Sequence, residues 1–338
     1  MKKIAIEEHF YTPAYEQYLR GGDSFPKLET KIENGSKVDY LGFTVLAPGV
    51  VDALLDTAEG RLKSMDEAGV DIQVLSLMSP GVEVLDSATA ISIARQANDD
   101  LSKIVKKNPE RFGGFATIPA QEPEESVKEM ERAIQKLGLN GIKINSTVRA
   151  EFLDAPKFRP IFEKAEELNI PIYLHPNLPP PDMIKPYLAY RALAGSMLAF
   201  AHETGLHAMR LICSGLFDEY PGLKIILGHL GEALPFWYWR FDSRWQKEGK
   251  PSDPISSKIK RRPSDYIRDN FYVTTSGCFW PPSLLCAYMT LGADRILFAV
   301  DYPLESQKEA VAFLDSAPIS EGDKEKIYHG NAEKILRL

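Results

Sequence analysis

Eight short apolar runs alternate with longer stretches of helical periodicity, and this alternation constrains the fold of the chain more than any other feature. Most of the runs are continuously hydrophobic, which is typical of parallel strands covered on both faces. They lie at residues 3–9, 70–78, 111–118, 140–145, 171–176, 223–229, 271–276 and 295–301. The pattern predicts an α/β fold, a (β/α)8 TIM barrel. A doubly wound open sheet is the alternative, but no GxGxxG motif follows the first run.

The helical stretches between these runs complete the pattern. They lie at residues 87–107, 124–137, 157–168, 194–217, 232–245, 282–291, 308–314 and 321–337. Residues 10–60, which follow the first strand and are rich in Gly, Pro and Tyr, are predicted to form an irregular insertion. We therefore expect residues 1–338 to be a single barrel domain with an insertion at about 10–60.

Composition excludes several classes of partner. Lys and Arg number 40 against 47 Asp and Glu, so the net charge is −7, which argues against nucleic acid as a partner. No apolar stretch is long enough to span a membrane, and the opening MKKIAIEEHF is expected to be a strand rather than a signal peptide. The three scattered cysteines predict thiols in a reducing compartment, so a cytoplasmic location is expected.

Ionisable residues end several of the predicted strands, where active sites of this fold lie. Glu7 and His9 end the first strand and point to the same side, since side chains alternate along a strand. His175, His229 and Asp301 end the fifth, sixth and eighth strands. Taken alone, each has a structural interpretation as a core histidine, a surface charge or a turn. Together they form a mixed nitrogen and oxygen set that suits Zn²⁺ or Mn²⁺.

These residues stand in motifs that resemble a known family. The motifs are Glu7-Glu8-His9-Phe10, Leu174-His175-Pro176, Gly228-His229-Leu230-Gly231-Glu232, Thr274-Thr275-Ser276-Gly277 and Asp301-Tyr302-Pro303. In this order they resemble the amidohydrolase superfamily and, within it, the metal-dependent, non-oxidative aromatic acid decarboxylases. That group includes the γ-resorcylate (2,6-dihydroxybenzoate) and 5-carboxyvanillate decarboxylases. The resemblance covers nearly the whole chain.

The resemblance implies a metal site and a metal-dependent reaction. It implies Glu7, His9, His175 and Asp301 as ligands of one divalent ion, Mn²⁺ or Zn²⁺, without an organic cofactor. The implied function is decarboxylation of an ortho-hydroxybenzoate, a small aromatic carboxylic acid, with release of CO₂. Asp301 is the expected proton donor to the ring carbon that bears the carboxylate. A homodimer or homotetramer is also implied.

Further residues receive roles from the same resemblance. His229 would be a catalytic histidine oriented by Glu232, which is expected at the start of the following helix. Arg240 matches an arginine that pairs with the substrate carboxylate, although it is also interpretable as a surface helix arginine. The sequence departs from the γ-resorcylate branch at Asn177, where that branch has Arg. The ring substituents of the substrate therefore stay open.

Two alternatives remain at this point. The same residues are compatible with an amidohydrolase-type hydrolase or hydratase that acts on a lactone or a ring-opened keto acid. Hydrolytic members often carry a bridging lysine on the fourth strand, and Lys143 lies on that strand here. The second alternative is a barrel that binds metal or aromatic acids without turnover.

Overall fold

The computed structural model describes residues 1–22, 26–42, 44–248 and 259–338, and its centre is an eight-stranded parallel sheet. The strands of the chain are β1 (Ile4–Phe10), β2 (Leu28–Glu33), β3 (Ser36–Leu41), β4 (Thr44–Leu46), β5 (Ile72–Leu77), β6 (Phe112–Thr117), β7 (Gly141–Asn145), β8 (Pro171–His175), β9 (Lys224–Leu227), β10 (Phe271–Thr274) and β11 (Ile296–Leu297). The large sheet has the order β1-β5-β6-β7-β8-β9-β10-β11. Neighbours in space are thus neighbours in chain order, as in a barrel.

Backbone hydrogen bonds join the last strand region to the first. The amide of Ile6 donates to the carbonyl of Phe298 at 3.2 Å, and the amide of Asp301 donates to the carbonyl of Glu7 at 3.0 Å. The amide of His9 donates to the carbonyl of Tyr302 at 2.7 Å. The predicted (β/α)8 barrel is therefore confirmed, and its closure brings the residues after β11 beside β1.

Helices connect the barrel strands, and several of them cover its outer face. They are α1 (Pro13–Gly21), α2 (Val50–Leu55), α3 (Glu59–Ala68), α4 (Ser87–Lys107), α5 (Pro123–Glu131), α6 (Arg159–Glu167), α7 (Pro181–Ile184), α8 (Ala199–Cys213), α9 (Leu216–Glu219), α10 (Leu234–Glu248), α11 (Pro263–Asn270), α12 (Pro281–Leu291), α13 (Gln307–Asp315), α14 (Glu321–Glu325) and α15 (Asn331–Leu336). In α4 the side chain of Asp86 caps the first turn, and Ala90, Ala94, Ala97 and Leu101 form the buried face. Among the described helices, none has both the length and the apolar character needed to cross a membrane.

The barrel interior is a packed core rather than a channel. Ile4 and Ile6 of β1 belong to a buried cluster with Phe115, Tyr173 and Leu297 from other strands. The rings of Phe115 and Tyr173 stack with their centroids 5.8 Å apart. Apolar side chains therefore fill the barrel below Glu7 and His9, and the polar residues at the strand ends lie above this layer.

The segment 10–60 is more regular than predicted. It contains helices and the antiparallel sheet β2-β3-β4, so the expectation of an irregular insertion was wrong in this respect. Its strands are mostly exposed and polar, which hides the alternation that marks a half-buried strand. Asn34 and Gly35 connect β2 to β3 with φ angles of 50° and 80°. An Asn-Gly pair is a strong signal for a hairpin turn, and this signal could have predicted the sheet.

One long predicted helix is interrupted. The stretch 194–217 divides into α8 and α9 at Gly215, which has a φ of 78°. Glycine adopts this left-handed conformation without the steric cost that other residues meet. The apolar periodicity continues across the break, which is why the pattern alone predicts a single helix.

Candidate active site

The carboxyl ends of the barrel strands bring together the five ionisable residues singled out from the sequence. Glu7 and His9 lie on β1 and are fully buried. His175 is the last residue of β8, His229 follows β9, and Asp301 follows β11. Because all these strands run parallel, their carboxyl ends meet at one end of the barrel, and so do the five side chains.

The distances within this cluster are short. His9 Nε2 lies 2.9 Å from Asp301 Oδ1, and His175 Nε2 lies 3.3 Å from Glu7 Oε1. His229 Nε2 lies 3.8 Å from Asp301 Oδ2. The two carboxylate oxygens of Asp301 therefore face different histidines. One faces the cluster around His9, and the other faces His229.

The orientation of His175 leaves one ring nitrogen available as a ligand. Its Nδ1 atom lies 2.8 Å from the carbonyl oxygen of Pro176, which can only accept a hydrogen bond. Nδ1 must therefore carry the proton, and Nε2 has a free lone pair. This lone pair faces the Glu7 carboxylate, so two electron-rich atoms approach each other. A metal-ligating histidine has the same arrangement, with its second nitrogen bound to a carbonyl.

The described residues fit a divalent metal ion. Glu7 Oε1, His9 Nε2 and Asp301 Oδ1 are buried and have no hydrogen-bond partner in the described structure. Unpaired buried polar atoms are costly, and here three of them converge. Two overlapping groups have potential ligand atoms within 4.8 Å of one another: Glu7, His9 and His175, and Glu7, His229 and Asp301. Carboxylates with imidazoles are the donors that suit Mn²⁺ or Zn²⁺.

A left-handed turn positions His229 beside Glu232. Residues 229–233 all have positive φ angles, which are 50°, 55°, 86°, 51° and 64° in order. The turn brings His229 Nδ1 within 2.7 Å of Glu232 Oε1. The expectation that Glu232 begins the following helix was wrong, because Glu232 lies in this turn and α10 begins at Leu234. The predicted pairing of the two side chains is present.

The charges in the cluster follow from burial and proximity. Burial opposes ionisation of Glu7, but the pKa of Glu7 is lowered overall, and the positive charge of His229 contributes to this. Burial and the charge of Lys143 lower the pKa of His175 to about 3 and also lower the pKa of His9. Both histidines are therefore neutral, the form in which imidazole binds metal.

His229, in contrast to these two neutral histidines, is positively charged. Burial disfavours its cation, but the negative charge of Glu232 outweighs burial and raises the pKa of His229 well above its ordinary value. The same imidazolium holds the pKa of Asp301 below its ordinary range despite burial. The site thus places a cationic proton donor next to a carboxylate.

The cluster forms part of the lining of a cavity of about 780 Å³. His9, His175, His229 and Asp301 all contribute to this lining. Apolar side chains, among them Phe200 and Leu304, supply much of the remaining surface. Such a cavity has the size and the character of a small-molecule site, with a few polar groups that converge at one place.

Arg240 is not brought to this cluster. It lies on α10, is exposed, and is absent from the described residues that line the cavity. Lys143 is buried on β7 and donates to the carbonyl of Leu77 at 2.8 Å. Its amine is therefore engaged by the backbone.

Three residues support the cluster although sequence reasoning gave them no role. Thr274 donates to Glu7 Oε2 at 3.1 Å, and Ser79 Oγ lies 3.1 Å from His175 Nδ1. Arg61 donates to the carbonyl of His9 at 2.6 Å. A hydroxyl residue that ends a barrel strand, as Thr274 does, is a signal that could have been used.

Comparison with known proteins gives full-length matches. A family model described as "Amidohydrolase" matches residues 43–338. The γ-resorcylate decarboxylase of a Polaromonas species is 39% identical, over 99% of this chain and 98% of its own length.

Solved structures resemble this chain equally well. The dihydroxybenzoic acid decarboxylase of Polaromonas, with bound manganese and the inhibitor 2-nitroresorcinol, has a TM-score of 0.87 and 39% identity, and the match covers 100% of this chain and 97% of that one. The 5-carboxyvanillate decarboxylase of Novosphingobium aromaticivorans, with manganese and 4-hydroxy-3-methoxy-5-nitrobenzoic acid, has a TM-score of 0.89 and 35% identity, with 100% and 96% coverage. Both similar proteins bind manganese and an aromatic ligand at once.

Proposed function

The chain belongs to the amidohydrolase family, and from this premise we propose that it catalyses the metal-dependent, non-oxidative decarboxylation of an ortho-hydroxybenzoate. The observation that carries this proposal is the position of Asp301. One of its oxygens lies 2.9 Å from His9, among the potential metal ligands, and the other faces the cationic His229. A carboxylate in this position can both bind a metal ion and receive a proton for delivery to a substrate.

The proposed ligands are Glu7, His9, His175 and Asp301. Their support is the convergence of unpaired buried atoms and the tautomer of His175. A bound Mn²⁺ or Zn²⁺ ion would supply a Lewis acid that binds the hydroxyl and carboxylate oxygens of the substrate. The side chains around it fix the position of the ring relative to Asp301.

The chain's own residues account for the movement of the proton. Loss of CO₂ from a benzoate requires a proton on the carbon that bears the carboxylate, because direct cleavage would leave an unstabilised aryl carbanion. His229 Nε2 lies 3.8 Å from Asp301 Oδ2, a gap that a small approach of the two side chains or one bridging water closes, so the imidazolium can keep Asp301 supplied with a proton. Asp301 delivers this proton to the ring carbon.

The carbon–carbon bond then breaks, and its electron pair restores the aromatic ring as CO₂ leaves. One proton replaces one carboxyl group, and the proton is returned to His229 from solvent. Glu232 stabilises the imidazolium form of His229 throughout. The reaction transfers no electrons to or from an external group, so it needs no electron acceptor.

Three expectations from the sequence stay predictions. Arg240 is proposed to pair with the substrate carboxylate, but within one chain it lies outside the cavity lining. A homodimer or homotetramer and a cytoplasmic location are likewise proposals. Measurement of molecular mass by light scattering checks the assembly, and Arg240→Ala checks the arginine through the KM of the substrate.

The test of the proposed function is an ultraviolet assay with the Mn²⁺-loaded or Zn²⁺-loaded protein. The acids are 2,6-dihydroxybenzoate, 2,3-dihydroxybenzoate, salicylate and 5-carboxyvanillate, with para-hydroxybenzoate as the control that lacks the ortho hydroxyl. We expect loss of at least one ortho-hydroxy acid, no loss of the control, and no turnover after chelation of the metal. Absence of turnover across the panel with metal bound would favour the hydrolase or hydratase, which lactones and ring-opened keto acids would then test.

A further inference from the structure

The cavity above the metal-ligand cluster is larger than a hydroxybenzoate requires. Its volume is about 780 Å³. Pockets of about 300–1,000 Å³ bury most of the surface of drug-sized ligands, whereas a hydroxybenzoate is a single ring with single-atom or carboxyl substituents. A ring held by its carboxylate and hydroxyl against Asp301 and His9 therefore leaves part of the cavity for another substituent.

The walls beyond the cluster are apolar. They include Met78, Phe200, Leu230, Phe236 and Leu304. Among the described residues that line the cavity there is no Lys, Arg, Asn or Gln. A polar substituent that leaves water must find a hydrogen-bond partner, and a charged one must find an opposite charge. Within one chain these walls supply no opposite charge, and the hydroxyls of Ser196 and Ser283 are among the few hydrogen-bonding side chains that they offer beyond the cluster.

Most polar groups that do line the cavity are already engaged. The hydroxyl of Ser79 donates to Asn145 Oδ1 at 2.9 Å. Glu232 accepts the hydrogen bond of His229. The thiols of Cys278 and Cys286 also line the cavity, but a thiol is a weak donor that behaves as a small hydrophobic group. A carboxylate on the ring would therefore find no opposite charge in the lining outside the cluster, and a second hydroxyl would find chiefly the hydroxyls of Ser196 and Ser283.

We propose that the acid this enzyme prefers carries an alkyl or alkoxy chain of several carbons on its ring, besides the hydroxyl and carboxylate held at the metal-ligand cluster. The proposal rests on the proposed function and deepens it by naming the substrate class. Burial of one methylene contributes about 0.8 kcal/mol, which is about a fourfold gain in binding. A propyl group buried along Phe200 and Leu304 is thus worth up to about 60-fold.

The experiment compares acids that differ in one substituent. The parent is salicylate, and each of its free ring positions is substituted in turn with propyl, hydroxyl or carboxylate. kcat/KM is measured for all of them with the Mn²⁺-loaded enzyme. We expect the propyl acid to exceed salicylate by about tenfold or more at one position at least. We expect no carboxylate-substituted acid to exceed salicylate at any position.

The outcomes separate the two proposals. If salicylate or a dihydroxybenzoate is decarboxylated but a hydroxyl or carboxylate is preferred to propyl at every position, the substituent proposal is wrong and the decarboxylase proposal stands. If propyl acids equal salicylate everywhere, the substituent proposal is also wrong. If no acid loses CO₂, the proposed function fails, and the substituent proposal fails with it.

A variant and a binding measurement test the role of the walls directly. Leu304→Trp fills part of the cavity, so it should reduce the ratio of kcat/KM for the preferred propyl acid to that for salicylate by about fivefold or more. Leu206→Trp, at an exposed leucine of α8 outside the lining, is the matched control and should leave the ratio unchanged.

Calorimetry with 3-propylphenol and phenol should show tighter binding of the propyl compound, also without metal. Equal binding of the two phenols would overturn the proposal.

Discussion

His229 Nδ1 lies 2.7 Å from Glu232 Oε1, and the two residues are joined by a left-handed turn in which every residue has a positive φ angle. Four residues of this turn, which runs from 229 to 233, are not glycine. A left-handed conformation costs each such residue about 1–2 kcal/mol. The surrounding packing offsets this cost, since Leu230 and Gly231 are buried. This conformation directs the imidazolium of His229 towards Asp301.

Gly231→Ala should disrupt this turn. A Cβ atom at this position would lie 2.8 Å from Val273 Cγ1 and 3.1 Å from Pro235 Cδ. We expect a loss of about 2–4 kcal/mol in the free energy of unfolding, from backbone strain and overpacking together, and a reduced kcat. Gly69→Ala is the control, because Gly69 has a similar φ of 72° but open space around it. The free energy of unfolding of Gly69→Ala, measured by urea denaturation, should fall by only about 1 kcal/mol. Equal losses in the two variants would contradict the packing argument.

Glu232→Gln should move the pH dependence of kcat. Burial lowers the pKa of His229, but the Glu232 carboxylate raises it well above the ordinary value of 6.5. The glutamine removes this charge, so the pKa of His229 falls and the imidazolium is lost at lower pH. We expect the alkaline limb of the kcat profile to move down by about one pH unit or more, with kcat at neutral pH reduced about tenfold. An unmoved alkaline limb would show that the rate does not depend on this cation.

Asp301→Asn should abolish turnover while metal content falls only in part. Asparagine cannot accept and deliver the proton, and general acid catalysis contributes about 10²–10⁴-fold, so kcat should fall by about that factor. Glu7, His9 and His175 remain as ligands, so elemental analysis should still find bound metal. Asp294→Asn, at an aspartate whose side chain is 75% exposed, is the matched control. Turnover like that of the wild type in Asp301→Asn would remove Asp301 as the proton donor.

A second buried acid lies behind the turn and affects stability rather than chemistry. Glu203 accepts a hydrogen bond from Ser146 at 2.5 Å, while its Oε2 atom is buried and unpaired in the described structure. The amide of Leu153 donates to His207 Nε2, so His207 Nδ1 carries the proton and donates to Ser146 Oγ. The hydroxyl of Ser146 accepts from His207 and therefore donates its own hydrogen to Glu203. Burial raises the pKa of Glu203 to about 7.

Glu203→Gln should therefore stabilise the protein above neutral pH. Because the folded protein binds the Glu203 proton more tightly than the unfolded chain, wild-type stability falls as pH rises from about 4.5, the ordinary value, to about 7. The glutamine has no proton to lose. We expect the variant to gain about 1–3 kcal/mol relative to wild type at pH 8, with a smaller difference at pH 5. Urea denaturation at both pH values checks this, and a difference independent of pH would contradict it.

The site was predictable where strand order determines it. The proximity of Glu7, His9, His175 and Asp301 could be predicted because each lies near the carboxyl end of a parallel strand, and a barrel brings those ends together. Their role as metal ligands stays a prediction. The conformation around His229 could not be predicted, because local preferences disfavour positive φ at His229, Leu230 and Glu232. Tertiary contacts select it, among them the packing of Gly231 against Val273 of β10.

The direction in which a helical side chain points, as at Arg240, could also not be predicted from the sequence. Arg240 lies eleven residues after His229 in a helical stretch, and spacing does not say which face of α10 turns to the cavity. The hairpin β2-β3 was missed because its strands are largely exposed, so no apolar alternation marks them. In both cases the missing information is tertiary, namely which surface is covered and by what.

The closure of the barrel has a consequence for biosynthesis. Glu8 Oε1 accepts the amide of Val300, a contact between residues 292 positions apart, and Glu7 and Asp301 meet beside it. At about 5–20 residues per second, a ribosome needs roughly 15–60 s to make the chain between them. During that time the emerging polypeptide holds Glu7 and His9, and His175 once it has been added, without Asp301. The four proposed metal ligands are therefore all present only in the final stage of synthesis, and until then nascent chains carry only part of the proposed coordination set.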